Sequence, residues 1–270
     1  MKQLSFLILI FCNLSLSAQS VFESVGASSK SVGGASVSIN NIWSVFNNPS
    51  GFSNTRKSQI GIYSEQRYSE AKLTTSAIVL VVPSKFVNLG FGILHYGYSL
   101  FNQQKITFSI AKELSKQFSL GVSLNYFGTS ISEQERAHSF IGEIGLTFHV
   151  TSKLNTGMHL FNVNQARYGY YTSERLPTFA NMGFNYMFSE KVSAIGETEM
   201  LLNHKSVFRG GLKYQFHEAV SLSVGFANNP ILYSFGTAIK LKKYKIEYAA
   251  SVYELLGVTH HVGLSCNLGK

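Results

Sequence analysis

From residue 117 to 127 the chain alternates without a break. Phe118, Leu120, Val122, Leu124 and Tyr126 fall on one face of an extended strand, and Ser119, Gly121, Ser123 and Asn125 on the other. Three later stretches repeat the pattern. Phe208, Leu212, Tyr214 and Phe216 alternate with Arg209, Gly211, Lys213 and Gln215. Val220, Leu222, Val224 and Phe226 alternate with Ser221, Ser223, Gly225 and Ala227, and Tyr244, Ile246 and Tyr248 with Lys245, Glu247 and Ala249. In a soluble sheet the apolar face meets a core; in an outer-membrane barrel it meets lipid, and the polar face lines the interior.

The spacing predicts strands near 58–65, 72–82, 86–96, 105–112, 117–128, 138–150, 153–162, 178–189, 191–201, 206–216, 219–228, 230–240, 243–253 and 259–268. That is an even number, within the range of single-chain outer-membrane barrels. The connections decide between barrel and sandwich. Short turns at 83–85, 114–116, 151–152, 189–190, 217–218 and 242 alternate with connections that are mostly longer, at 66–70, 97–104, 129–137 and 163–177. Short periplasmic turns opposite longer extracellular loops characterise antiparallel outer-membrane barrels and put both termini in the periplasm. The expected fold is all-β, a transmembrane antiparallel β-barrel of about 14 strands spanning 58–270.

Two segments precede it. Residues 1–18 carry Lys2, an apolar run from Leu4 to Cys12, and small residues ending at Ala18, the layout of a cleaved secretory signal peptide. Its removal leaves Cys266 as the one cysteine, so no intrachain disulfide is expected. Residues 19–57 lack clean alternation and contain the single Trp, Trp43, and the turn-forming run Asn47, Asn48, Pro49, Ser50, Gly51. This segment is expected either to enter the lumen as a plug or to lie along the periplasmic rim. The plug is favoured, because side chains alone do not fill a barrel of this size.

Composition fits. The chain has 21 Phe, 14 Tyr and 23 Gly against 4 Pro, which suits strands rich in aromatic and small residues. Tyr126, Phe127, Phe148, Phe188, Tyr214 and Phe216 stand at strand ends, where interfacial girdles are expected. Lys+Arg 23 against Asp+Glu 14 gives a net charge of +9. Lys85, Lys112, Lys116, Lys153, Lys191, Lys242 and Lys243 cluster at the turns, a solvated rim beside lipid headgroups, and nucleic acid is not an expected partner of an exported chain. Every acidic residue is Glu, which excludes Asp-rich Ca²⁺ loops and Asp dyads.

Enzyme chemistry has little support. The sequence holds no Gly-x-Ser-x-Gly, no His-Glu-x-x-His and no cysteine pair, so no cofactor, metal or catalytic residue is assigned. His260 and His261 point to opposite faces, and the turn at Ser152 puts His149 and His159 out of register. The polar face carries charge at Glu143, Glu197, Glu199, Arg209, Lys213, Lys245 and Glu247. A symmetric hairpin places Glu199 nearly opposite Arg209, and such charges need partners or lumen water. Tyr63, Leu94, Tyr96, Ile141, Phe161, Met187 and Ile195 are the apolar exceptions on that face.

The run GASSKSVGGASV at 26–37, followed by WSVFNNPSG at 43–51, resembles the opening of the PorV/PorQ family of outer-membrane barrels, which are related to the fatty-acid transporter FadL. Ser50 stands for that family's usual Ala and Phe52 for its usual Leu. The resemblance implies a fourteen-stranded barrel with an N-terminal hatch carrying Trp43, Phe46, Asn47, Asn48, Pro49, Gly51 and Phe52. It also implies an outer-membrane location in a Bacteroidota-type bacterium and a non-enzymatic role in type IX secretion or surface attachment, with secretion-system envelope proteins or exported cargo as partners. The alternative is a FadL-like channel for a small hydrophobic compound, whose hatch moves.

Overall fold

A computed structural model describes residues 22–132, 136–169, 175–201 and 205–269; the signal-peptide segment 1–18 lies outside them. The strands are β1 Gln59–Gln66, β2 Thr74–Pro83, β3 Asn88–Tyr98, β4 Phe101–Ser115, β5 Phe118–Ile131, β6 Ala137–His149 and β7 Leu154–Phe161. They continue as β8 Phe179–Met187, β9 Val192–Leu201, β10 Val207–His217, β11 Val220–Asn228, β12 Ile231–Leu241, β13 Tyr244–Tyr253 and β14 Gly257–Asn267. Each pairs antiparallel with its neighbours in sequence, and β1 pairs with β14 from Gln59 opposite Asn267 to Gln66 opposite His260. The sheet is therefore a closed barrel without an edge.

Alternation sets the two faces. On β5, Ser119, Gly121, Ser123 and Asn125 are buried inside, whereas Leu124 is 55% exposed outside. The same outward exposure recurs at Ile62, Ile78, Ile93, Phe140, Leu212 and Phe235 around the wall. An apolar surface that encircles the molecule is unsuited to water and fits the hydrocarbon of a bilayer. Here "terminal end" denotes the end where β1 begins and β14 stops, and "far end" the opposite one. The turn lysines Lys85, Lys116, Lys153, Lys191, Lys242 and Lys243 are all exposed at the terminal end.

Two expectations are corrected and a third is sharpened. The segment 97–104 is no loop: β3 runs to Tyr98 and β4 begins at Phe101. The polar run there continues the alternation, with Gln103 and Lys105 pointing inward and buried, and Gly97, at φ 105°, opens the tight turn. Phe127 belongs to no girdle, since its parity turns it into the lumen, where it is 1% exposed. Arg209 faces Glu197 directly and Val207 faces Glu199, one residue from the symmetric register, and the expected Glu199–Arg209 pair forms on the diagonal at 3.1 Å.

Residues 22–58 fold back into the barrel. Two single-turn helices, α1 Ala27–Lys30 and α2 Ser44–Asn47, and a 3-10 turn Pro49–Phe52 are buried along most of their length. Room for them comes from glycines on the inward face. A Cβ at Gly121 would strike the backbone of Pro49 and Ser50, one at Gly157 the carbonyl of Val37, and one at Gly225 the backbone of Val32 and Gly33. Gly90 lies against Phe52, Gly92 against Phe46, Gly145 against Asn48, and Gly236 against Ser31. The wall is thus thinned in a belt where the segment passes.

Candidate functional site

Among the described residues, polar groups, cavities and buried aromatics meet in the lumen and its N-terminal segment. The segment holds its own shape through asparagines. Asn47 accepts from the Val25 amide at 2.8 Å and donates to the Val25 carbonyl at 2.8 Å. Asn48 caps the 3-10 turn by accepting from Ser50 N at 3.2 Å, with Pro49 at its first position, while its Nδ2 donates to Val37 O at 2.6 Å. Gly51 is required by space, because a Cβ there would lie 2.7 Å from Ser44 Oγ.

Other bonds tie the segment to the wall. Trp43 Nε1 donates to Glu247 Oε2 at 3.0 Å, and its ring packs on Tyr63 of β1. Ser50 Oγ and Thr147 Oγ1 are 2.7 Å apart. Asn88 Nδ2 donates to three carbonyls, Phe52, Ser53 and Thr55, at 2.7–2.9 Å. All seven hatch-motif residues, Trp43, Phe46, Asn47, Asn48, Pro49, Gly51 and Phe52, are buried.

The lumen charges are grouped. Glu143 is fully buried between Lys105 Nζ at 2.8 Å, Asn125 Nδ2 at 2.9 Å and His159 Nε2 at 3.0 Å. Glu197 Oε2 accepts from the amides of Ser36 at 2.6 Å and Val37 at 2.8 Å, and its other oxygen lies 3.4 Å from Arg209, which also meets Glu199 at 3.1 Å. Lys245 pairs with Glu247. Lys213 lines a cavity of about 270 Å³ at the terminal end, together with Lys245, Gln215, Ser193 and Ser223. His149 opposes Asn155 and His159 opposes Gly145, so the two histidines stay apart.

One group escaped the sequence reading. At the far end, Lys30 meets Glu23 at 2.7 Å and Glu65 at 3.4 Å, and Arg67 meets Glu65 at 2.6 Å and Glu23 at 3.2 Å. Burial raises the Glu23 carboxyl, but the Arg67 guanidinium and the Lys30 ammonium outweigh it and hold the group below its ordinary range. Tyr63 donates to Glu65 at 2.8 Å and bonds His261 at 2.9 Å. Parity alone marks Glu65 and Lys105 as inward; nothing in the sequence marks Glu23 and Lys30, which lie on an aperiodic segment.

The apolar exceptions do not scatter. Tyr63, Leu94, Tyr96, Ile141 and Phe161 join one buried cluster with Phe46, Phe127 and Phe179, and Phe22 packs against it. Ile195 belongs to a separate group with Val32 and Ala35, and Met187 lines the terminal cavity. Beside the main cluster is a cavity of about 20 Å³, bordered by Phe46, Leu94, Phe161, Phe179, His159 and Asn181. Among the described residues, no group of three His, Cys, Asp or Glu is placed to hold a metal ion.

No protein-family model and no curated protein matches the chain. Solved structures do. The barrel superposes on the CymD monoaromatic hydrocarbon channel with a TM-score of 0.76 at 13% identity, covering 92% of this chain and 98% of that one. It is similar to the toluene transporter TbuX of Ralstonia pickettii, with a TM-score of 0.68 at 12% identity, covering 92% and 99%. A FadL homologue of Pseudomonas aeruginosa gives 0.63 at 11% identity, covering 92% and 98%. The fold is that of FadL-type channels. Identities this low carry the architecture, and the activity has to be argued from the lumen.

Proposed function

We propose that this chain is a non-enzymatic channel of the outer membrane of a Gram-negative bacterium, passing a small hydrophobic compound, with the segment 19–57 as its movable hatch. The carrying observation is the buried apolar cluster of Leu94, Tyr96, Phe127, Ile141, Phe161 and Phe179 in a lumen lined elsewhere mainly by Ser, Thr, Asn, Gly, small aliphatic residues and charge. Side chains that only needed to fill a polar interior would not gather there; a compound leaving water would find them at the far end, against Phe22 and Phe46 of the hatch. The printed functions of the similar structures, channels and transporters for monoaromatic hydrocarbons and toluene, support the same class of cargo. Both termini in the periplasm is the orientation proposed with it.

Passage requires the hatch to move, which a reversible lock tests. A Cβ at Gly90 would lie 2.7 Å from Val45 Cγ2, so Val45→Cys with Gly90→Cys brings two thiols within disulfide reach, in a Cys266→Ala background. Uptake of radiolabelled toluene by cells carrying the barrel is expected to fall to background when the pair is oxidised and to return on reduction. Uptake indifferent to the lock would refute the hatch, and no uptake in either state would refute the channel.

A second reading follows from how full the far half of the lumen is, with about 20 Å³ of cavity beside the apolar cluster. A barrel so packed can serve as a fixed scaffold for secretion-system envelope proteins or exported cargo, as the PorV/PorQ resemblance implies. Co-purification of envelope partners with both the locked and the free barrel would favour it.

A further inference from the structure

The cavity of about 270 Å³ at the terminal end shares no lining residue with the apolar cluster. It is lined by β8 to β13, so the wall itself stands between it and lipid, and the lumen segment closes the other side with Ser31, Val32 and Ile39. Three lysines, Lys191, Lys213 and Lys245, border it against two glutamates, Glu190 and Glu247, which leaves one positive charge in excess. Neither glutamate answers Lys213. Glu247 bonds Lys245 with one oxygen and Trp43 Nε1 with the other, and Glu190 stands at the β8–β9 turn next to Lys191.

Among the described residues Lys213 makes no hydrogen bond and no ion pair, and Lys245, of like sign, repels it. Directly opposite it in the ladder are Ser193 on β9 and Ser223 on β11, both on the cavity wall. Their hydroxyls have no partner among the described residues either. An ammonium and two hydroxyls side by side all have a hydrogen to give, and none of them requires one in return.

We infer that the terminal cavity binds a small oxyanion, a phosphate or a carboxylate, held by Lys213 and the hydroxyls of Ser193 and Ser223. Lysine serves such a group as a point charge, and hydrogen bonds to a charged acceptor are the strong ones. Water alone leaves the Lys213 charge uncompensated beside Lys245, whereas an anion compensates it and relieves the repulsion between the two. The exposed turn lysines at the same end, Lys153, Lys191, Lys242 and Lys243 among them, gather anions at the mouth of the lumen. A volume of about 270 Å³ admits either anion as the cavity stands, with water filling the rest. No part of the hatch has to move, so the site is independent of the channel reading.

Titration calorimetry of the full chain, purified in an uncharged detergent, with sodium phosphate and with sodium acetate at constant ionic strength reads the site and tells the two anions apart. At least one of them is expected to bind with a millimolar or tighter dissociation constant. Lys213→Met, which keeps the length of the side chain and removes its charge, is expected to weaken that binding about ten- to a hundredfold, the worth of a hydrogen bond to a charged group. Lys243→Met, on the exposed rim and outside the cavity, is expected to change it by no more than about twofold, since exposed charges are screened. Barrel integrity is read from heat-dependent gel mobility. Should Lys213→Met fail to fold, the double variant Ser193→Ala with Ser223→Ala decides, with a loss of several-fold expected and unchanged binding overturning the site. No binding of either anion up to about 10 mM would overturn it, as would binding that Lys213→Met leaves unchanged. Equal weakening by Lys213→Met and Lys243→Met would mean that the basic rim attracts anions with no site in the cavity, and would overturn it as well.

Discussion

Glu197 is the residue whose loss should loosen the lumen segment without breaking the wall. Its carboxylate receives the amides of Ser36 and Val37 at 2.6 and 2.8 Å, in a site where its side chain is 2% exposed. Glu197→Ala leaves both N–H groups buried without an acceptor and leaves Arg209 with Glu199 alone. A hydrogen bond to a charged group is worth about 1.5–3 kcal/mol. Taking the low end for each of the two, since water can enter from the neighbouring cavity, the local structure weakens by about 3 kcal/mol. That corresponds to roughly a hundredfold rise in the opened population. Amide hydrogen exchange reads this directly, because local opening sets the exchange rate of protected amides. Ser36 and Val37 should exchange about a hundredfold faster in the variant. The Val25 amide, held by Asn47 within the segment, should change much less. Exchange at Ser36 and Val37 within about threefold of the natural chain would mean that Glu197 does not hold the segment, and the argument would fail.

Two further outcomes are expected. Leu124→Arg, outward and 55% exposed on β5, should destabilise the barrel in lipid vesicles by about 2–4 kcal/mol on urea titration; a change below about 0.5 kcal/mol would contradict a lipid-facing wall. Gly121→Val drives a side chain into the Pro49 and Ser50 backbone, so acrylamide quenching of Trp43 fluorescence should rise several-fold, whereas Gly128→Ala, whose Cβ would find its nearest atom at 3.5 Å, should leave quenching unchanged.

The wall was legible because lipid and lumen impose opposite chemistry on alternate residues, so parity fixes each side chain's direction. That rule alone turns Glu143, Glu197 and Arg209 inward. Register was less legible: Arg209 faces Glu197 directly and reaches Glu199 on the diagonal at 3.1 Å, since pairing across a connection depends on backbone geometry that composition does not encode. Polarity misled at 97–104, where Gln103 is polar because it faces the lumen. The lumen segment was the least legible. Its short helices carry no period, and its partners, such as Asn88 gripping three carbonyls, are chosen by shape. The glycines that admit it sit at readable positions, yet only the segment's path says why they are bare.

That path has a bearing on how the molecule stays shut. A barrel made from one chain has a single place where its first and last strands meet with no covalent link, the β1–β14 boundary. Trp43 sits across it, 3.1 Å from a Cβ at Gly61 of β1 and 3.5 Å from one at Gly263 of β14, while bonded to Glu247 of the next strand. Near the far end Lys30 and Glu23 hold the β1 side, at Glu65 and at Arg67 just beyond it, and His261 of β14 is tied to Tyr63 of β1. The segment that precedes the wall in sequence is thus the clasp that fastens its two ends together.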